Sequence, residues 1–487
     1  MNVVFLNSVY SILPQRSIGP YLLKHYLKKR GYTSQVIDFC QDFTSEELLK
    51  YIDKFVTNDT ICLAVSSTFW YDETGYYYTY DGGIPFNIYE CLKLFKQKYP
   101  SIKIALGGAH SSYIKKRIES IDAVFIGEAE DTLPEVLDYW SKGHQQPPHL
   151  INPITNKITY KDPTNKTHNI EHCDFQWQDN DCIIPGETLP LETSRGCIFK
   201  CRFCAYPHLG KSKFDYLKSN DKIRDHLVLN KNKYGVTRYV MLDDTFNDSE
   251  FKVDGFLDMV KTLDFNIEYS AYIRADLVQR YNGSAEKLFE TGLRGAFFGL
   301  ESIHPVASQI VGKGWSGRDG RKFIPKLVNE LWNNKVATIS GLIVGLPGES
   351  KEDLISTLTW VNDNNLNVIF FALQVTNNLG DRPFLSEFER EAEKYNFKFD
   401  NDNRWYNETW SRQTAIEFAD SLNHKRKHTP VTSFNYIIIK SLGFTDSELL
   451  NKTRPEIIER NPKFFERREM FIKTYKNKLL ELCNIQN

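Results

Sequence analysis

Glu192-Thr-Ser-Arg-Gly-Cys-Ile-Phe-Lys-Cys-Arg-Phe-Cys-Ala-Tyr-Pro207 holds three cysteines, Cys197, Cys201 and Cys204, in one short loop with the spacing C-x3-C-x2-C. Thiolates this close on a loop can hold one soft metal centre. Three are one short of closing a tetrahedral zinc site or a fully ligated cluster. Two bland readings stand beside that: a zinc loop with a distant fourth ligand, and cysteines clustered by chance. The sharper reading is a cubane iron–sulfur cluster with one iron left open for a substrate.

Around this loop, strands and helices alternate. Strands are expected at 189–194, 238–242, 268–273, 295–300, 338–344 and 367–373, with helices at 220–234, 248–262, 323–333 and 354–362 between them. Six strand–helix units predict a partial (β/α)6 cousin of the eight-unit TIM-type barrel, with chemistry at the carboxyl ends of its strands. The cysteine loop follows the first of those ends.

The loop resembles the cluster-binding loop of the radical S-adenosylmethionine (SAM) superfamily, whose pattern is C-x3-C-x-aromatic-C. Phe203 stands at the aromatic position. The resemblance implies that Cys197, Cys201 and Cys204 ligate three irons of a [4Fe–4S] cluster and that the fourth iron chelates SAM. It implies reductive cleavage of SAM to a 5′-deoxyadenosyl radical, with an external electron donor of the flavodoxin or ferredoxin type. The hard chemistry then belongs to the cofactor and the orientation to the protein.

The same resemblance assigns groups at the other strand ends. Arg274 in Tyr272-Ile-Arg-Ala-Asp276 is expected to pair with the SAM carboxylate, since a fork of N–H donors suits it. Glu301 in Gly299-Leu-Glu-Ser302 is expected on the ribose hydroxyls. Gly341-Leu-Ile-Val-Gly345 resembles the strand along which adenine lies, where a missing Cβ lets a flat base approach the backbone. The family's G-G-E after the second strand, which receives the SAM amine, is replaced by Asp243-Asp244-Thr245. Either the side chains of Asp243 and Asp244 hold the amine instead, or the register differs from the family's.

Before the barrel, residues 1–145 read as another alternating unit. Strands are expected at 3–6, 35–38, 60–65, 103–106 and 123–126, which predicts a Rossmann-like, doubly wound parallel sheet. Ligands of such sheets bind beyond the carboxyl ends of the strands. Small and hydroxyl residues gather there: Ser66, Ser67, Gly107, Gly108 and Gly127. Alone, glycines after strands equally make tight turns. The order of pieces resembles the cobalamin-binding-type domain that precedes many radical SAM cores. It is carried by Ile18-Gly-Pro-Tyr-Leu-Leu23, Leu27-Lys-Lys-Arg-Gly31-Tyr32, Asp38, Gly107-Gly108 and Gly127-Glu128-Ala-Glu130. The resemblance implies cobalamin at those five strand-end residues. No D-x-H-x2-G motif is present, so no histidine is expected under the cobalt. The aromatic run 69–80 follows the third strand and can cover a corrin face, fill its place or grip a substrate.

Residues 146–186 are rich in Pro, Asn and Asp and read as a linker carrying a short hairpin at 157–160. The barrel core is placed at 187–375, and 376–487 is expected to be a mainly helical C-terminal domain, with helices at 385–395, 412–424 and 468–482. The aromatic stretch Asn403-Arg-Trp-Tyr-Asn-Glu-Thr-Trp410 resembles one that shapes the substrate side in cobalamin-type members.

Length and charge bound the rest. A chain of 487 residues implies two or three domains. Its net charge of −1, from 61 basic and 62 acidic residues, gives no pull toward a polyanion, so nucleic acid is not expected as partner. The opening Met1-Asn-Val-Val-Phe-Leu6 lacks the features of a signal peptide, and no apolar run approaches the roughly 18 residues of a membrane helix. Six cysteines outside the loop show no framework spacing and read as buried thiols of a reducing cytoplasm.

The function expected is a radical SAM enzyme, with cobalamin-dependent C-methylation of a peptide or small metabolite foremost. One alternative is a non-methylating epimerase, mutase or oxidase that does not use the N-terminal domain for cobalamin. Another is a cobalamin or iron–sulfur sensor.

Overall fold

Val3 and Phe5 face one way from the first strand, Val4 and Leu6 the other, and all four are buried in two separate cores. A strand apolar on both faces belongs in a sheet covered on both sides. The structure, a computed structural model, describes the chain except residues 10, 68–69, 71–78, 81–83, 109–110, 112–118, 145–156, 160–169, 205–215, 377–384, 430, 432, 451 and 486–487. Most of the aromatic run 69–80, much of the segment 146–186 and the residues after Cys204 lie outside the described residues.

The first sheet contains β1 (Asn2–Leu6), β2 (Thr33–Ile37), β3 (Thr60–Ser66), β4 (Lys103–Gly107), β5 (Ala123–Ile126) and β6 (Lys157–Thr159). All pairs are parallel, in the order β2-β1-β3-β4-β5-β6. This is the doubly wound arrangement, with its switch point between β1 and β3. Of the hairpin expected at 157–160, only Lys157–Thr159 lies among the described residues. Those three residues pair in parallel with β5. A lone two-stranded hairpin is marginal in water, whereas the edge of β5 offers a row of backbone groups to pair.

The second sheet contains β7 (Thr188–Leu191), β8 (Arg238–Met241), β9 (Glu268–Ile273), β10 (Leu293–Glu301), β11 (Ala337–Val344) and β12 (Val368–Ala372), parallel and in sequence order. Tyr239, Tyr269, Phe298 and Phe370 point outward into the core beneath the helices. The alternate residues line a concave inner face, as the two-residue period of a strand requires. The open edge at β12 is covered by the helix Arg412–His424. Asn423 Oδ1 accepts from the Phe370 N–H at 2.9 Å and Asn423 Nδ2 donates to Phe370 O at 2.9 Å, so one side chain takes the place of a neighbouring strand.

The C-terminal residues serve both sheets. The helix Ser433–Ser441 closes the amino end of the barrel: Thr188 Oγ1 donates to Ile437 O at 3.2 Å and Lys440 Nζ pairs with Glu268 at 2.6 Å. The helix Pro462–Ile485 lies against the first sheet, with Arg468 on Asp42 at 2.6 Å and the Tyr475 ring edge-on to Phe39 at 4.9 Å. Arg16 is clamped in the resulting seam, with Nε on Glu187 at 2.9 Å and Nη1 on Tyr21 Oη at 2.7 Å. At the other end of β7, Arg195 pairs with Glu130, just past β5, at 2.7 Å. The strand β7 thus runs across the carboxyl edge of the first sheet, which faces the mouth of the barrel. Among the described residues no helix is long and apolar enough to cross a membrane.

Candidate active site

The cysteine loop starts where β7 ends, and buried polar groups fix its stem. Asp243, just past β8, is fully buried. Its Oδ1 accepts from the N–H groups of Thr193 at 2.9 Å and Ser194 at 3.0 Å. Its Oδ2 accepts from the Thr193 hydroxyl and from Lys252 Nζ, the latter at 2.8 Å. Lys252 also donates to Ser194 Oγ at 2.8 Å. A carboxylate has about four acceptor positions, and Asp243 spends them on the loop stem. The expectation that Asp243 holds the SAM amine meets a side chain already engaged on the loop stem. Asp244 is half-buried beside Cys197.

The far side of the loop is held as firmly. Arg202 donates its N–H to Val311 O at 3.0 Å and its Nη1 to Ile310 O at 2.8 Å, capping the helix Pro305–Val311. Phe203 packs against the core. None of the three cysteines is in a disulfide; Cys201 is buried and the other two are half-buried. Burial pushes the Cys197 thiol above its ordinary value, so its thiolate needs a cation at hand. Among the described residues no three His, Cys, Asp or Glu side chains converge as ligands of a single ion. Three reduced thiols on one loop, with a guanidinium against one of them, suit a centre of several irons.

That guanidinium is Arg274. Its Nη1 lies 3.6 Å from Cys201 Sγ and its plane 3.9 Å over the Phe199 ring. Nε and Nη2 grip Asp276 in a bidentate pair at 3.0 and 2.8 Å. Nη2 also reaches Lys313 O. Burial works against the charge, yet Asp276 holds the Arg274 guanidinium above its usual value. With its fork occupied, Arg274 belongs to the cluster loop in this structure; the expectation that it pairs with the SAM carboxylate meets an occupied side chain. Asn247 fixes its backbone on both sides, accepting from Arg274 N at 2.8 Å and donating to Arg274 O at 3.0 Å.

Glu301 ends β10 with φ +62°, a left-handed conformation that costs a non-glycine residue energy. The pairing with β11 skips a residue between Gly299 and Glu301. Such an irregularity re-aims a side chain, and here the carboxylate meets Lys313 Nζ at 2.8 Å. Gly299 and Gly341 stand opposite each other in register. A Cβ on Gly341 would meet Phe297 Cζ at 3.2 Å and Phe371 Cε2 at 3.6 Å, so the inner wall is bare backbone between rings. Gly345 differs from expectation. Its φ is +102° and an added Cβ would lie 2.5 Å from Trp405 Cη2. The space above it belongs to Trp405, whose Nε1 donates to Leu373 O at 2.9 Å, rather than to a base.

Trp410 Nε1 donates to Glu349 O at 3.1 Å. Trp405 and Trp410 thus brace the turn after β11 instead of lining the substrate side. Within that turn Glu349 is buried, and Ser302 Oγ is 3.0 Å from its Oε1. Burial pushes the Glu349 carboxyl up to about 8.

At the carboxyl edge of the first sheet, Gly108 and Gly127 have φ of +106° and +88°, so these ends present backbone without a side chain. Gly107 has ordinary space around it, a Cβ there meeting Phe125 Cβ at 3.6 Å. Ser66 is buried, and Ser67 turns its hydroxyl onto Gly107 O at 2.9 Å. Trp70 is buried in the core and donates to Ser8 Oγ at 2.9 Å, tying the ends of β1 and β3.

The family model of the radical SAM superfamily matches residues 191–361. Residues 191–361 form a radical SAM domain. The cofactors of this family are a [4Fe–4S] cluster and SAM. An uncharacterized methyltransferase of Pyrococcus horikoshii is 23% identical over 377 residues, 73% of this chain and 76% of its own. A bacteriochlorophyllide d C-8(2)-methyltransferase of Chlorobaculum tepidum is 22% identical over 239 residues, 46% of this chain and 49% of its own. Among solved structures, the radical SAM methyltransferase TsrM from Kitasatospora setae, with tryptophan substrate and a SAM analogue bound, matches with a TM-score of 0.62 at 13% identity, covering 98% of this chain and 99% of its own. OxsB, a cobalamin-dependent SAM radical enzyme with aqua-cobalamin bound, matches with a TM-score of 0.55 at 16% identity, covering 92% and 61%. Both likenesses are of fold.

Lys313, Asn247, Lys252 and the Arg195–Glu130 pair were not found by sequence reasoning. Lys313 sits between Gly312 and Gly314, a punctuation that signals a turn but gives no sign that it faces Glu301.

Proposed function

We propose that this radical SAM enzyme is a cobalamin-dependent methyltransferase acting on a carbon of a small molecule or peptide in the cytoplasm, with electrons from a flavodoxin- or ferredoxin-type donor. The observation that carries the reading is the Arg195–Glu130 pair at 2.7 Å. It sets the strand ends of the first sheet against the mouth of the barrel, two residues before Cys197, as a shared reaction space between two cofactors requires. The whole-chain likeness in fold to TsrM supports it.

Bound together, the cluster and SAM supply a carbon-centred radical, and cobalamin supplies a methyl group. The residues of the chain do the positioning. Cys197, Cys201 and Cys204 hold the cluster, and Arg274 sets its positive charge against Cys201. Glu301 receives the ribose hydroxyls, keeping Lys313 as counter-ion. Gly108 and Gly127 let the corrin edge approach the backbone.

The test is to purify the protein with cobalamin supplied and follow its visible spectrum through gel filtration. Stoichiometric cobalamin is expected, lost in Gly108→Val with the cluster retained. Protein that stays without cobalamin while converting SAM to 5′-deoxyadenosine would replace this reading with the non-methylating one.

A further inference from the structure

The inner wall of the barrel carries large apolar side chains that are left exposed. Leu242 is 37% exposed, Tyr272 42% and Phe371 44%, although each sits on or beside a strand of the central sheet. Tyr272 pairs in register with Phe297, and their ring centroids are 5.2 Å apart. Phe297 and Phe371 flank the bare Gly341. From below, Phe434 of the closing helix lies 4.9 Å from Tyr272 and makes the floor. Exposed apolar surface gathered in one concavity marks a binding site, since a soluble protein otherwise covers it.

The charges around this layer are matched already. Below it, Glu268 is held by Arg238 at 3.2 Å and Lys440 at 2.6 Å. Above it stand the pairs Glu301–Lys313 and Arg274–Asp276, each at 2.8 Å. Asp244, next on the inner face after Leu242, stands at the rim beside Cys197. A charged ligand pushed into the layer would lose its hydration without gaining a counter-ion. Rings disposed edge to face favour another ring over a branched aliphatic group of equal size.

Resting on the reading of this barrel as the reaction chamber, we infer that the substrate is a neutral, planar, unsaturated ring system held between Tyr272, Phe297 and Phe371. The methylated carbon then lies on that ring or on a short substituent of it, directed toward the cysteine loop.

Three probes separate the possibilities by titration calorimetry on the full chain, with S-adenosylhomocysteine saturating so that the adenosyl site is filled. They are quinoline, a neutral flat bicycle; cyclohexanol, neutral but not flat; and benzoate, flat but charged. Quinoline is expected to bind at least about tenfold more tightly than either of the others. Tyr272→Leu with Phe371→Leu keeps the bulk and removes the rings, and should weaken quinoline about tenfold. Should that variant fail to fold, Leu242→Phe, which adds a ring to the same wall, should tighten it. Cyclohexanol or benzoate binding as well as quinoline, or quinoline affinity untouched by the ring-removing variant, would overturn the inference. The measurement needs neither turnover nor cobalamin, so it fails independently of the methyltransferase reading.

Discussion

Replacing Glu349 by glutamine tests whether the turn above the barrel holds a protonated carboxyl. Glu349 is buried and its Oε2 has no hydrogen-bond partner. Burial raises it from 4.5 to about 8, with the Ser302 hydrogen bond opposing. Between those values the folded protein keeps a proton that the unfolded chain has released. The contribution is therefore fully present below about pH 4.5 and is lost as pH rises through about 8. Each pH unit inside the window costs about 1.4 kcal/mol, so two units, from pH 5.5 to 7.5, cost the wild type about 3 kcal/mol through this group alone. The amide of Glu349→Gln cannot titrate, but its N–H brings an unmet donor to the same place, a fixed cost of about 1–3 kcal/mol. The variant should thus be less stable at pH 5.5 and approach or overtake the wild type by pH 7.5. Urea unfolding followed by tryptophan fluorescence measures this, with Trp410 bonded to the Glu349 carbonyl as a local reporter. Midpoints of the two proteins that move in parallel with pH would refute the argument.

Other outcomes follow from the same geometry. Replacing Cys197, Cys201 and Cys204 together by Ala should abolish reconstituted iron and the broad thiolate-to-iron absorbance; iron retained at the wild-type level would remove the cluster from this loop. Glu301→Gln should weaken SAM binding by about 1–3 kcal/mol, the worth of charge-assisted hydrogen bonds, with the cluster intact, as read by equilibrium dialysis. Unchanged affinity would place the ribose elsewhere. Gly345→Ala drives a Cβ to 2.5 Å from Trp405 and holds alanine at φ +102°, so a loss of at least about 2 kcal/mol is expected in urea unfolding. Adding Trp405→Leu should leave Gly345→Ala costing less than it does beside Trp405, because the collision goes while the strained φ stays.

The strand pattern was legible because a buried strand is short, apolar and punctuated. Val3 to Leu6, Thr60 to Val65 and Gly295 to Leu300 all carry that mark, and each became a parallel strand. The helix Ser433–Ser441 was not legible. Ser-Phe-Asn-Tyr-Ile-Ile-Ile-Lys-Ser has a β-branched run and no polar face, so its local preference opposes a helix. It forms because it is buried against the amino end of the barrel, where packing overrides propensity. The extended run Lys157–Thr159 is legible but its pairing with β5 is not, because three residues hold as a strand only where an edge is waiting for them.

The cysteine loop shows where the sequence suffices. Ligand identity and spacing are local, so Cys197, Cys201, Phe203 and Cys204 could be read without a fold. The polar groups around it could not, because a side chain's partner depends on what folding brings opposite. Asp243 lies at the strand end where the family resemblance looked for it, yet Thr193, Ser194 and Lys252 occupy its oxygens. Arg274 was found by its place after β9, but Asp276 and Cys201 decide what it does. Gly345 is glycine for the sake of Trp405, far along the chain. Short-range pattern was enough to set the order of elements and to single out the three thiols of the loop. Which charges are spent inside the protein, which rings line the chamber, and that Arg195 meets Glu130 were settled only by folding, because each depends on the distance between residues remote in sequence.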